Sequence, residues 1–390
     1  MGTSERPWSV RPRTLLAAGL AGVVLCTAGC ASGREGGSGA SPSASADGSS
    51  GPAPSGTAPP AEGTVTVERT VTTGLDSPWG VAALPGGGAL VASRDTGRIV
   101  AVDTTTGRKT PAGTVPGADP GGEGGLLGLA VRPDDARTVY AYVTTASDNR
   151  VVRMSYDAAA PAGERLGAPD TVFRGIPKGS VHNGGRIAFG PDGMLYVGTG
   201  ETGRSGLSQD RESLAGKILR MTPDGAAPER GNPLEGSVVY SWGHRNVQGL
   251  AWDDAGRLWA SEFGQDTWDE LNLIEPGGNY GWPEVEGRAG EPGFRDPVAQ
   301  WRPAEASPSG LAIVRGSAWL ASLRGERLWR VPLHGREPVA APQDFLEGRW
   351  GRLRTVVEAP GGGLWLTTSE TDTRGTPEQG DDRIVELGVS

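Results

Sequence analysis

The feature that most limits what this chain can fold into is a short pattern that returns along most of its length. A small residue and an aliphatic pair lead into a Pro/Asp/Gly turn, an apolar strand follows, and a strand carrying Arg or Lys comes later. The pattern runs as "GVAALPGGGALVAS" with "GRIVAVD" (80–103) and "GLAVRPDDARTVYAYV" with "NRVVRMSYD" (128–157). It continues as "GRIAFGPDGMLYVGTG" with "GKILRMTPDG" (185–225) and "GLAWDDAGRLWASEFG" with "DELNLIEPG" (249–277). The last two copies are "GLAIVRGSAWLASLRG" with "RLWRVPLHG" (310–335) and "TVVEAPGGGLWLTTSE" with "DRIVELG" (355–388). The strands are short and rich in β-branched and aromatic residues, and P-D-G or P-G-G punctuates them. Six sheet units in series predict an all-β, six-bladed β-propeller, in which each blade buries its faces against its neighbours. A sandwich or a barrel would not generate six matching units. Sixty-four glycines and 12 tryptophans suit that geometry, Gly for the turns and Trp for the wedges between blades. "TVTVERTVTTGL" (64–75) has no partner copy and is expected to close the ring by pairing beside the C-terminal "RIVELG".

The first 62 residues do not take part in that pattern. Residues 1–30 carry Arg6, Arg11 and Arg13, an apolar run from Leu15 to Cys26, and the small triplet Thr27, Ala28, Gly29 before Cys30, the layout of an export signal. The apolar run is too short for a spanning helix, which needs about 20 residues. The triplet resembles a lipoprotein processing site, which would make Cys30 the lipidated N-terminus and anchor the protein at the outer face of the cell membrane; plain secretion is the alternative. Residues 31–62 are almost entirely Gly, Ala, Ser and Pro, a composition that cannot form a core. The folded domain is therefore expected over 63–390. Neither of the chain's two cysteines would remain as a thiol in it, so cross-links cannot contribute to its stability. A net charge of −9, more acidic once the basic leader is removed, argues against nucleic acid as a partner.

Between the strands lie stretches whose order and spacing resemble the soluble-type quinoprotein glucose/sorbosone dehydrogenases, a family that includes the aldose sugar dehydrogenases. They are "EGGLLGLAVRPD" (123–134), "HNGGRIAFGPDGMLYVGTGE" (182–201), "AGKILRMTPDG" (215–225), "GHRNVQGLAWDDAGRLWASEFG" (243–264), "DELNLIEPGGNYGWPEVEG" (269–287) and "GRLRTVVEAPGG" (351–362). The resemblance implies pyrroloquinoline quinone (PQQ) and calcium at one mouth of the propeller, and oxidation of an aldose at C1 to the lactone. His182 falls on the family's general base, which takes the anomeric hydroxyl proton as hydride leaves C1; an imidazole titrating near neutrality suits that task. Glu201 falls on the carboxylate that orients this base. Arg245 and Asn246 match residues on the quinone, Arg245 at the oxygen where negative charge develops. Arg324, Arg352 and Arg354 are implied partners of the cofactor's carboxylates, bound bidentately by planar guanidinium groups. The carbonyls of Gly264 and Gln265 are implied ligands of the catalytic calcium, and Glu270 with the Tyr280 carbonyl those of a second ion. Glu123 falls beside the base and the sugar. His244 is expected to support its loop and His334 to be a solvated turn residue.

Four positions depart from the family pattern: Glu123 stands where Gln is frequent, Glu201 where Asp is, Arg324 where Lys is, and Gln265 where Pro is common, a change that a backbone ligand tolerates. The residues themselves leave two other functions open, a calcium-dependent lactonase on the same fold and a propeller without catalysis that binds a carbohydrate or a partner. A lactonase would require a central cage of carboxylates and amides, whereas the mouth here is rich in Arg. The sugar, the electron acceptor and the oligomeric state are not legible in the sequence.

Overall fold

A computed structural model describes residues 57–390; the leader, Cys30 and most of the expected linker lie outside the described residues. Six antiparallel sheets account for nearly all of the regular structure. Blades one to four comprise the strands from Pro78–Leu84 to Lys109–Thr114, Leu126–Arg132 to Asp170–Ile176, Ile187–Phe189 to Val239–Trp242, and Val247–Trp252 to Ala299–Trp301. Blade five runs from Pro308–Val314 to Gln343–Phe345. Blade six contains Leu353–Ala359, Gly363–Thr368 and Ile384–Val389, with Val65–Thr72 as its outermost strand. That last pairing is antiparallel, from Val65 opposite Val389 to Thr72 opposite Ile384, so the two ends of the domain close the ring.

The strands show why simple alternation of apolar and polar residues fails in this sequence. Leu195–Gly198 and Ser317–Ser322 are buried on both faces, because each sheet is covered by a blade on either side. Outer strands such as Asp170–Ile176 are half exposed. Between each pair of neighbouring blades lies one apolar cluster, and the tryptophans fill these wedges: Trp259 and Trp301 between blades four and five, Trp319 between five and six, Trp365 between six and one. Around the axis the first strands of consecutive blades touch in cyclic order, and the strand of blade six returns to that of blade one.

The recurring Gly of the first strands permits that contact. A Cβ on Gly128 would lie 2.2 Å from the Gly185 carbonyl oxygen. The equivalent position is Gly in blades one, two, four and five, but Arg186 in blade three and Thr355 in blade six. These two side chains close the channel from within: the Arg186 guanidinium lies 4.4 Å from the Trp79 ring centroid, and Arg186 Nη2 donates to Thr355 Oγ1 at 3.1 Å.

The first strand of each blade starts at the same face of the ring, so the loops that precede it gather there as a mouth. The described chain begins on the opposite face, with Thr57 and Pro59 beside the turns at Asp253–Arg257 and Arg315–Gly316. Although the composition of 31–62 predicts a coil, its last residues are held by the domain. The fully buried Arg330 donates to the carbonyls of Pro60 at 2.8 Å and Ala61 at 3.1 Å.

Candidate active site

The mouth is assembled from loops of blades two, three, four and six. His182 precedes the first strand of blade three and adopts φ 51°, a left-handed conformation that is rare outside Gly. Gly200 allows it: a Cβ there would meet the His182 carbonyl oxygen at 1.9 Å. Strain of this kind persists only where the surroundings hold the residue, and it clusters at functional sites. Here the imidazole Nδ1 is hydrogen-bonded to Glu201 Oε1, and the His182 backbone N–H donates to Glu123 Oε2 at 2.8 Å. With Nδ1 donating to a carboxylate, the Nε2 lone pair is the free basic site. Glu201 is nearly fully buried; burial opposes its ionisation, but hydrogen bonds from His182 and from the Gly203 amide and the charge of Arg245 hold its carboxyl below the usual range.

Arg245 and Asn246 follow in the loop before blade four. The Glu201 N–H donates to the Arg245 carbonyl at 2.8 Å, which ties this loop to the base's partner. The Arg245 backbone N–H donates to Glu262 Oε1, and the other oxygen of Glu262 binds His244 Nδ1 at 2.8 Å. His244 is fully buried, reaches Ser241 through Nε2 at 2.8 Å and stacks on Tyr280, which makes it a support for the loop. Asn246 Oδ1 accepts from the Gly184 N–H at 2.9 Å and so joins the loops of blades three and four. The opposite ends of these side chains are different: Arg245 Nε and Asn246 Nδ2 are buried donors without a partner. A native protein seldom leaves such groups unpaired without a functional reason.

Blade six contributes the arginines. Arg354 is buried and donates to Asp372 at 2.9 Å and to Gln248 Oε1 at 3.1 Å; Arg352 donates to the same Asp372 oxygen at 3.0 Å, and its Nε is a further buried donor without a partner. Burial pushes Arg354 down to about 10, against the pull of Asp372. Burial also pushes Arg186, on the axis below, to about 9, and the charge of Arg354 adds to this effect. Arg324 is exposed on the rim and lines a recess of about 540 Å³ together with Arg349, Arg352 and Arg374. Arg374 crosses to Glu123, Nη2 to Oε1, at 2.9 Å. Glu123 thus meets the backbone of the base rather than its ring, with an arginine on its other oxygen.

The remaining predicted positions gather beneath blade four's outgoing loop. The amides of Gly264 and Gln265 are taken by Asp269 at 2.8 Å and by Glu286 at 2.7 Å, and the same Glu286 oxygen accepts from the N–H groups of Thr267 and Trp268. Burial raises Asp269 to about 6, and burial with the charge of Glu262 raises Glu270 to about 8. Both Glu270 oxygens accept hydrogen bonds within the protein, from the Gly287 N–H and from Asn272. Tyr280 packs its ring on His244 and donates its hydroxyl to the Leu273 carbonyl. Among the described residues no group of three or more His, Cys, Asp or Glu side chains is arranged to hold a metal. A cation here would have to use backbone carbonyls, and it would offset a buried acidic cluster.

His182, Glu201, Arg245, Asn246, Glu123, Arg352 and Arg354 are thus brought into one mouth from positions up to 231 residues apart, as Glu123 and Arg354 show. The sequence reading did not find Asp372, Glu262, Gln248, Arg374, Arg186 or Glu286. Only Arg186 carried a signal, since it replaces the Gly of the repeat; the others lie in irregular loops or at positions with no periodic constraint.

Residues 75–376 match the Glucose / Sorbosone dehydrogenase family. The PQQ-bound form of aldose sugar dehydrogenase from Streptomyces coelicolor is 69% identical and superposes with a TM-score of 0.84, covering 85% of this chain and 100% of that one. The aldose sugar dehydrogenase YliI of Escherichia coli is 29% identical over 345 residues, 80% of this chain and 92% of its own length. Quinoprotein glucose dehydrogenase B of Acinetobacter calcoaceticus is 30% identical over 262 residues, 58% of this chain and 54% of its own length.

Proposed function

The chain belongs to the glucose/sorbosone dehydrogenase family, and from that premise we propose that it is a PQQ-dependent oxidoreductase that converts an aldose to its lactone at the mouth described above, with calcium as a second cofactor. The observation that carries this reading is the set of buried donors without partners, Arg245 Nε, Asn246 Nδ2 and Arg352 Nε, in the same mouth as a carboxylate-bound histidine. Such donors fit an anionic, oxygen-rich group. When bound, the quinone supplies the acceptor for the hydride from C1 of the sugar.

The chain's own residues have separable tasks. Glu201 accepts a hydrogen bond from the His182 Nδ1–H and keeps the imidazole in the tautomer whose Nε2 is free to take the proton of the anomeric hydroxyl. Arg245 and Asn246 orient the cofactor through their free donors, and a guanidinium half-removed from water stabilises developing negative charge more strongly than one in solution. Arg352 and Arg354 hold carboxylates, with Asp372 fixing both guanidinium planes. The carbonyls of Gly264 and Gln265 would hold calcium, above carboxylates that favour a nearby cation.

The Arg-lined axis favours this reading over a lactonase, because buried Arg186 and Arg354 stand where a central cation cage would be. In the full reading the protein is exported and anchored through lipid at Cys30. The decisive experiment is calorimetric titration of the purified protein with PQQ and calcium, followed by aldose-dependent reduction of a dye. Failure to bind PQQ refutes the proposal; binding without sugar oxidation leaves the non-catalytic propeller.

A further inference from the structure

Glu123 and Arg374 belong to loops of different blades, and they meet at the backbone of His182. Glu123 precedes the first strand of blade two, and Arg374 lies in the loop between Gly363–Thr368 and Ile384–Val389 of blade six. One Glu123 oxygen accepts the His182 N–H at 2.8 Å and the other accepts Arg374 Nη2 at 2.9 Å. The Glu123 side chain is 16% exposed, whereas that of Arg374 is 55% exposed. We propose that Glu123 and Arg374 form a clamp across the mouth that holds the strained backbone of His182, with Arg374 offsetting the charge that the carboxylate would otherwise place beside the imidazole.

This rests on the functional reading above and adds to it a positioning residue, Arg374, which reaches the base only through Glu123. An acceptor is needed at position 123 because the left-handed conformation of His182 turns its N–H into the mouth, away from any strand partner. A glutamine would accept that hydrogen bond without charge. A glutamate places a largely buried carboxylate close to the ring, and an unopposed carboxylate within about 4–6 Å raises an imidazole's proton affinity. Burial opposes the ionisation of Glu123; the hydrogen bond from the His182 amide and the charge of Arg374 outweigh it and hold the carboxyl below its usual range. The charged groups around the imidazole are Glu201 on Nδ1, Glu123 with Arg374 behind it, and Arg245 behind Glu201. Altering the Glu123–Arg374 pair leaves the Glu201 contact to the ring in place.

The test is the titration of the His182 imidazole, followed by NMR in the cofactor-free protein, across Arg374→Met, Glu123→Gln, the double variant and Arg374→Lys. Arg374→Met should raise the His182 pKa by about one unit, a tenfold change in proton affinity. Glu123→Gln should lower it, because Arg374 is then unopposed. The double variant should return close to the parent, and Arg374→Lys should stay there. In the loaded enzyme the acid limb of kcat/KM should move in the same order. An Arg374→Met protein that titrates like the parent, or a double variant that does not return, overturns the proposal. If Arg374→Met does not fold, Glu123→Gln decides alone: an unmoved or raised pKa overturns it. The titration needs no turnover, so shifts in the expected order without sugar oxidation would refute the functional reading and leave the clamp standing.

Discussion

Replacing Asp372 by Asn tests the electrostatics of the mouth most directly. Asp372 is 3% exposed, accepts from Arg352 at 3.0 Å and Arg354 at 2.9 Å on one oxygen, and accepts the Arg374 N–H at 3.1 Å on the other. Burial alone would raise its carboxyl; Arg354 and Arg352 override that and hold it at about 2. Against an unfolded value near 3.9, the shift of about two units corresponds to roughly 2–3 kcal/mol of stability at neutral pH. Loss of one member of a buried ion pair costs about 3–5 kcal/mol, because the remaining charges are left uncompensated. The overlap, about 3 kcal/mol, is the expected loss in Asp372→Asn. At roughly 2.1 cal/mol/K per residue the unfolding entropy of a domain this size is about 0.7 kcal/mol/K, so Tm should fall by about 4 °C. The sign of the pH dependence follows from the depressed carboxyl: its contribution is complete above about pH 4 and is lost as pH falls towards 2. The difference in Tm between parent and variant, measured by calorimetry or circular dichroism, should therefore shrink over that window. In the variant both guanidinium groups are also free to attract an anionic cofactor, so PQQ should raise its Tm more than it raises the parent's. A variant that melts with the parent at pH 7, or a difference that stays constant down to pH 2, would refute this account of the arginine pair.

Four further outcomes follow from the same geometry. His182→Ala should bind PQQ and calcium by calorimetry but lose about 10²- to 10⁴-fold in kcat, the usual contribution of a general base; near-normal turnover would remove His182 from the chemistry. Arg352→Ala should weaken PQQ binding by about 1.5–3 kcal/mol, the range for a hydrogen bond to a charged group, and unchanged affinity would take it out of the cofactor site. Arg330→Ala removes the donors to Pro60 and Ala61, so limited proteolysis should cut within residues 60–64 in the variant, a segment protected in the parent. Cys30→Ala should abolish metabolic lipid labelling and release a folded, active protein from the membrane fraction; persistent labelling would refute anchoring at that residue.

The sequence made the architecture legible because a propeller is built by repetition. Each blade needs a tight turn and apolar strands buried on both faces, and four of the six carry Gly where first strands touch around the axis. Six copies therefore stand out even though the loops between them differ in length. The closing strand was legible for the complementary reason: a β-rich stretch with no copy of its own has to pair with the other unpaired end. Residues whose task depends on one functional group, such as His182 and Arg245, could be placed through the motifs they occupy.

Their mutual electrostatics depended on contacts across the mouth that no local pattern records. Glu123, which the family resemblance places beside the base and the sugar, is tied by the structure to the backbone amide of His182 and to Arg374, 251 positions further on. Asp372, which sets the geometry of Arg352 and Arg354, lies in an irregular loop where composition carries no information. Arg330 shows the same limit at the edge of the domain, since a buried guanidinium on blade five captures the end of a segment whose composition reads as free coil. By itself the sequence determined the number of blades and their closure, because these follow from short-range periodicity; the side chains expected at one mouth came through the motifs that resemble the family's. Which carboxylate faces which cation was decided only by the tertiary structure, because the energy of a buried charge depends on distances of a few ångströms between loops that repetition leaves unconstrained.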